Sequence, residues 1–319
     1  MKQIYLGIDV GSVSTNVVAI DDDINVIFNK YIRTNGQPIP TVKKGLLELH
    51  SDTKDMQVKG VGTTGSGREM VGLMVGADVV TNEITTHSVA AVHFHPETNT
   101  IFEIGGQDSK IIILDDGLVT DFSMNTVCAA GTGSFLDHQS ERLNIPIEEF
   151  GDMALSTDKK VRIAGRCTVF AESDMIAKQQ YGFSKAEIIK GLCDALVRNY
   201  INNLGRGKTL RPPYLFQGGV AANKGIIRAF ENEVGEKITI PKYFGVMGAI
   251  GSAIIAKEYI DSTNSETKFR GFDILDLDFV PTSTECTDCA NNCEVIKVEV
   301  GGEILAMWGD RCGKWSAMK

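Results

Sequence analysis

Three glycine-rich turns are the strongest chemical signal in the sequence. Asp9-Val10-Gly11-Ser12-Val13-Ser14-Thr15 and Glu103-Ile104-Gly105-Gly106-Gln107-Asp108-Ser109-Lys110 each interrupt two apolar runs. Glycine lets backbone N–H groups approach an anion, and Ser or Thr hydroxyls add donors. Gly11, Ser12, Ser14 and Thr15 are therefore candidate phosphate contacts in the first turn, and Gly105, Gly106 and Lys110 in the second. Asp9, where the first apolar run ends, can hold a hydrated Mg²⁺ bridging phosphates. The third element, Gln217-Gly218-Gly219-Val220-Ala221-Ala222-Asn223, suits an adenosine pocket at a helix N-terminus through Gly218, Gly219 and Asn223. Each turn alone also reads as an ordinary hairpin. The three in this order, on these strand contexts, favour a nucleotide site. No GxxxxGK[ST] phosphate loop is present.

The seven cysteines are the second signal. Cys128 stands in Met-Asn-Thr-Val-Cys-Ala-Ala-Gly-Thr-Gly-Ser-Phe, and Cys167 in Arg-Cys-Thr-Val-Phe-Ala-Glu-Ser-Asp. Both precede predicted helices, where free N–H groups and the helix dipole stabilise a thiolate. A 4Fe–4S cluster usually takes four thiolates, so two such cysteines would need a second chain. The alternative is that both are small buried hydrophobes. Cys286, Cys289, Cys293 and Cys312 form C-x₂-C-x₃-C with a fourth cysteine after 18 intervening residues. That set fits zinc or a second cluster. Cys193 reads as core. His87, His93 and His95 do not share one helical face and read as solvated or interdomain rather than metal-binding. Arg68 suits an interface or cleft as well as it suits an ordinary surface. Trp308 and Trp315 suit packing of the tail or a docking surface.

The elements that must position these groups can be read from periodicity. Strands are predicted at 3–10, 16–21, 25–33, 57–62, 78–82, 100–104, 110–114, 118–123, 214–217 and 237–240. Helices are predicted at 41–50, 67–75, 84–94, 131–144, 172–206, 220–234 and 245–260. The order strand, glycine turn, strand, strand, helix occurs twice, which predicts a duplicated α/β architecture of two domains facing a cleft. The expected division is 1–96 completed by the helix 245–260, then 97–244 with the first two cysteines, then a linker and Cys-rich tail over 261–319.

Bulk properties narrow the field. The chain has 319 residues with 32 basic against 41 acidic ones, a net charge of −9. With no basic excess to neutralise phosphates or anionic lipid, nucleic-acid and membrane partners are not expected. The short apolar run ending at Asp9 reads as a buried strand rather than a signal peptide, and no run reaches membrane-spanning length. A cytoplasmic location with reduced thiols is expected.

The order of the three turns resembles the phosphate-1, phosphate-2 and adenosine motifs of the acetate kinase/sugar kinase/Hsp70/actin superfamily. The segment Gly245–Ala253 resembles the small-residue helix that closes that fold near the nucleotide, which adds Gly248 to the candidate contacts. CAAGTG and CTVFAES, with EIGGQDSK and TTGSGR, resemble the BadF/BadG/BcrA/BcrD ATPase family over residues 3–257. Its members include activators of 2-hydroxyacyl-CoA dehydratases, ATPase subunits of benzoyl-CoA reductase and reductases of double-cubane cluster proteins. The resemblance implies ATP or ADP with Mg²⁺ in two actin/hexokinase-like domains. It implies a homodimer with one 4Fe–4S cluster held by Cys128 and Cys167 of both subunits. It further implies a ferredoxin or flavodoxin as donor, and a dehydratase or double-cubane protein as acceptor. Glu103 takes the place of the superfamily's second acidic residue, with Gln107 and Asp108 near the γ-phosphate. Gln is no strong base, so slow, gated hydrolysis is expected. The long tail departs from typical dehydratase activators and inclines toward the double-cubane reductases. The competing readings are a sugar kinase of the same fold and a nucleotide-dependent assembly module.

Overall fold

Residues 2–165 and 167–316 are described by the computed structural model; Met1, Arg166 of the second cysteine motif and Ala317–Lys319 lie outside the described residues. In chain order the elements are β1 (Lys2–Val10), β2 (Ser14–Ile20), β3 (Val26–Arg33), α1 (Pro38–Asp52), β4 (Met56–Thr64), α2 (Arg68–Val75), β5 (Val79–Val80), α3 (Glu83–Phe94), β6 (Thr100–Ile104), β7 (Ser109–Asp115) and β8 (Leu118–Asn125). They continue with α4 (Gly133–Leu143), α5 (Ile147–Leu155), α6 (Thr168–Gln180), α7 (Lys185–Leu204), β9 (Tyr214–Gln217), α8 (Lys224–Val234), β10 (Ile238–Thr239), α9 (Met247–Thr263), β11 (Phe279–Glu285), β12 (Glu294–Val300) and β13 (Glu303–Trp308). Single 3₁₀ turns lie at Ala129–Gly131, Gly219–Ala222 and Phe272–Asp276.

These elements form two units. One comprises the described residues up to Asn82 together with those from Gly248 onward, and the other is Glu83–Met247. In the first, the sheet order is β3-β2-β1-β4-β5. β1–β2 and β2–β3 pair antiparallel, while β1–β4 and β4–β5 pair parallel. β1 is central, and its Ile4, Leu6, Ile8 and Val10 are almost wholly buried. The small-residue helix α9 lies directly on this sheet. A Cβ on Gly7 would fall 1.8 Å from the Ala249 carbonyl oxygen, and one on Gly62 would fall 2.2 Å from that of Ser252. Glycine in the strands and Ala or Ser in the helix are what allow the two backbones to approach this closely.

The expected linker after residue 261 is pinned rather than loose. Asp78 accepts from the Thr267 hydroxyl and the Lys268 backbone, both at 2.7 Å. The tail is a three-stranded antiparallel sheet, β11-β12-β13. Its Phe279 and Val298, with Ile274 of the preceding 3₁₀ turn, join the apolar core of this unit, and Trp308 packs against that core.

The second unit repeats the first. Its sheet order is β10-β9-β6-β7-β8, with β6–β7 and β7–β8 antiparallel and β6–β9 and β9–β10 parallel. The repeated topology gives the duplicated α/β architecture that periodicity predicts, arranged as the two actin/hexokinase-like domains that the resemblance implies. The core centres on the stacked rings of Phe102 and Phe230, 4.9 Å apart. Helix boundaries depart from expectation in one informative place. The single helix expected over 172–206 is two, α6 and α7. Gly182 at φ +79 turns the chain out of α6, and Ser184 and Glu187 form a reciprocal capping box that restarts it.

Candidate functional site

In the first unit, β1 ends at the glycine turn. Gly11 N donates to Ser14 O at 2.8 Å, closing it. Ser12 is exposed at the tip and Ser14 is half-buried. Thr15 is fully buried. The Thr34 hydroxyl donates to Gly11 O at 3.1 Å and lies 3.0 Å from the Thr15 hydroxyl, so Thr15 serves the base of the turn. Asp9 is half-buried, facing Asn16 across the hairpin and Thr64 on the parallel side. Gly65, at φ +89, packs onto Asp9. A Cβ there would fall 2.6 Å from Asp9 Oδ1 and 2.5 Å from Val10 O. Sequence reasoning did not single out Gly65; the TTGSG junction between strand and helix is its signal. Arg68 folds back to donate to Gly65 O at 3.0 Å. Gly248 is buried in the first turn of α9.

In the second unit, the equivalent turn is built on buried charge. Gly105 N donates to Asp108 O at 3.0 Å, and Gln107 is exposed at the tip. Lys110 Nζ lies 3.0 Å from Glu103 Oε2 and 2.8 Å from Asp108 Oδ2, with the Glu103 and Lys110 side chains both buried. Burial by itself disfavours the ammonium, but the Glu103 and Asp108 carboxylates outweigh it and hold Lys110 above its ordinary value. Tyr200 of α7 locks the two strands: its hydroxyl donates to Lys110 O and accepts from Glu103 N at 3.2 Å.

The third element sits beside this turn. Glu103 pairs with Gln217 across β6–β9. Gly218, at φ +90, leaves no side chain where a Cβ would fall 2.6 Å from Glu103 Oε1. Gly219 is exposed. Asn223 caps α8, its Oδ1 accepting from Gly225 N at 2.9 Å and Ile226 N at 3.1 Å. Its buried Nδ2 has no hydrogen-bond partner among the described residues. His87, expected to be solvated or interdomain, instead meets Gln217 inside the second unit. It is buried, with Nδ1 2.9 Å from Gln217 Nε2. Burial, helped by the positive charge of Lys110, drives its pKa down to about 3. The ring is therefore neutral, and the Gln217 amide donates to it.

The cysteine loops belong to the same unit. Asn125 organises the first, its Oδ1 accepting from Cys128 N at 2.9 Å and its Nδ2 donating to Cys128 O at 2.7 Å. Directly after Cys128 the chain makes only the 3₁₀ turn, and α4 begins five residues later. The first α4 donors are engaged elsewhere: Gly133 N donates to Gly105 O at 2.9 Å and Ser134 N to Gly106 O at 2.7 Å. The Ser134 hydroxyl donates to the same Gly106 O at 2.6 Å. The expected helix-donor environment thus fails for Cys128. Cys167 does stand at the N-cap of α6, as expected, with no side-chain hydrogen bond to the helix's first turn. Both thiols are half-buried, whereas Cys193 is fully buried in α7 and its thiol is pushed up by that burial.

Cys128 and Cys167 are both soft thiol donors of the kind a cluster takes, and the turn after Cys128 and the segment at Cys167 both pack on α7. No group of three or more His, Cys, Asp or Glu side chains stands together as a metal site among the described residues. The tail obeys the same statement. Cys286 N donates to Cys293 O at 2.8 Å across the β11–β12 hairpin, while Cys289 and Cys312 are exposed.

Duplicated sheets with a glycine turn at each central hairpin define the actin/hexokinase-like fold. The BadF/BadG/BcrA/BcrD ATPase family matches residues 6–256, and the chain belongs to that family. It is 32% identical over 255 residues to the (R)-2-hydroxyglutaryl-CoA dehydratase activating ATPase of Acidaminococcus fermentans, covering 79% of this chain and 96% of that one. The structure resembles that of the activator of the 2-hydroxyisocaproyl-CoA dehydratase from Clostridium difficile with bound ADPNP. The TM-score is 0.74 at 30% identity, covering 82% of this chain and 97% of that one. A ROK family glucokinase from Streptomyces griseus shares the fold alone, at TM-score 0.50 and 12% identity over 80% of this chain and 99% of that one. Among the described residues no helix is long and apolar enough to cross a membrane.

Proposed function

We propose that this chain is an ATP-dependent activator that delivers low-potential electrons to an iron–sulfur partner enzyme. Two copies would hold one 4Fe–4S cluster on Cys128 and Cys167 of each. When bound, the cluster supplies a one-electron couple. The observation that carries this reading is the hydrogen-bonded junction of Gly105 and Gly106 with Gly133 and Ser134. It ties the turn proposed to meet the γ-phosphate to the helix that follows the Cys128 loop. Movement of that turn on hydrolysis therefore moves the start of α4 with it.

The family resemblance suggests the remaining roles. Asp9 in the first unit, and Gln107 and Asp108 in the second, are each proposed as contacts of Mg²⁺ or the γ-phosphate. Gly11, Ser12, Ser14, Gly105 and Gly106 would offer the phosphate contacts. Gly218, Gly219, Asn223 and Gly248 would line the nucleoside side. Glu103 and Thr15 act beneath the turns, holding Lys110 and Thr34. Val127 is 94% exposed, and Val169 and Phe170 are 67% and 66% exposed, on either side of the cysteines in sequence. Apolar side chains displayed there support burial against a second copy. The relatives' activator role favours a dehydratase-type acceptor, while the tail leaves a double-cubane acceptor in play. A ferredoxin or flavodoxin would be the donor.

The test is iron and acid-labile sulfide in anaerobically purified protein, wild type beside Cys128→Ala and Cys167→Ala. The expected result is about four irons per dimer, lost in both variants. A dimer free of iron under strict anaerobiosis would sink the reading. Zinc measured in the same samples reports on Cys286, Cys289, Cys293 and Cys312.

A further inference from the structure

Helix α7 presents three consecutive polar side chains to three different segments. Arg198 Nη2 donates to Ile163 O at 2.6 Å. Tyr200 locks the β6–β7 pair through Glu103 and Lys110. Between them, Asn199 is 4% exposed and reaches both cysteine loops. Its Nδ2 donates to the carbonyl of Gly165, two residues before Cys167. Its Oδ1 lies against Gly131, three residues after Cys128, where a Cβ would fall 3.2 Å from it. Asn203 Nδ2 donates to that Oδ1 at 3.1 Å and fixes which way the amide faces.

The other anchors serve one loop each. Asn125 bonds only the Cys128 loop, through Val127 N, Cys128 N and Cys128 O. Arg198 serves only the Cys167 segment, as does Asp174, which accepts from Ala164 N at 2.9 Å. Asn199 is the side chain these contacts show shared between the two.

We infer that Asn199 is a positioning residue that couples the Cys128 and Cys167 loops, so that displacing either displaces the other. The amide suits the task because it donates to the Cys167 segment while its oxygen, fixed by Asn203, packs against Gly131 of the Cys128 loop. Groups that orient ligands from behind set ligand geometry as firmly as the ligands do. The inference rests on the proposed use of the two cysteines but not on a cluster being bound.

The experiment uses the full-length, reduced, metal-free protein. Iodoacetamide alkylation rates are read by peptide mass spectrometry at Cys128, Cys167 and Cys193. Each of the first two is expressed relative to Cys193, the buried thiol that reports global opening. Asn125→Ala should raise the ratio at Cys128 alone. Asn199→Ala should raise it at both, by about tenfold if one buried hydrogen bond held them. Gly131→Ala, which presses on Asn199 from the Cys128 side, should raise it at Cys167 as well. Ratios that stay at wild-type values, or that rise at only one cysteine in both Asn199→Ala and Gly131→Ala, overturn the coupling. A wild type that binds no iron would end the electron-transfer reading and leave these ratios interpretable.

Discussion

The two units share one sheet topology but differ in what lies between the third and fourth strands. In the first, β3 reaches β4 through α1 alone. In the second, the same crossover from β8 to β9 carries α4, α5, α6, α7 and both cysteine loops. The sheet sets where a turn must be; the crossover decides what that turn is connected to. The hairpins differ in the same spirit. Asp9 faces the neutral Asn16, whereas Glu103 faces Lys110. The second acid is neutralised by the residue it faces, whereas the first faces no charge across its hairpin. Duplicated scaffolds thus need not keep duplicated chemistry.

Substituting the two equivalent acids tests that contrast most sharply. Glu103→Gln leaves Lys110 buried with one partner fewer, and breaking such a pair costs about 3–5 kcal/mol. Urea unfolding should show that loss. On the proposed Mg²⁺ role, Asp9→Asn should lower Mg²⁺-dependent ATP hydrolysis by roughly 10²–10³. Hydrolysis unchanged in Asp9→Asn would overturn that role.

His87 gives the second unit a pH dependence. Its buried ring stays neutral down to about pH 3. The unfolded chain takes up a proton near pH 6.5. The stability this residue contributes is therefore complete above about pH 6.5. It falls by ~1.4 kcal/mol per pH unit as the pH drops toward 3. Unfolding measured between pH 7 and 4.5 should lose that component of the slope in His87→Gln.

Smaller effects test the packing of each unit. Gly62→Ala forces α9 off the first sheet and should cost about 1–3 kcal/mol. Asn223→Ala removes the α8 cap in the second unit and should cost about 1 kcal/mol. Thermal melts followed by tryptophan fluorescence, with Trp308 packed on the first unit's core, would place the first change in that unit.

Much of this was legible in the residues. Alternating apolar runs and glycine turns gave both sheets, because strand periodicity is local. The cysteine words were equally plain. Sequence reasoning failed where a long-range partner decides the state of a group. His87 read as solvated or interdomain because no local signal announces Gln217, 130 positions away. Cys128 looked helix-stabilised because nothing nearby shows that Gly105 and Gly106 take the α4 donors. Helix 172–206 looked continuous because apolar spacing persists through Tyr181–Ser184, and only the capping geometry breaks it.

The sequence by itself therefore determined the duplicated fold and the family, both of which are written in local pattern and residue type. Only the tertiary structure decided that Glu103 is neutralised by Lys110, which cysteine stands at the start of an α-helix, and that Asn199 meets both cysteine loops. Those properties depend on burial and on contacts between residues far apart in the chain, and local pattern does not encode them.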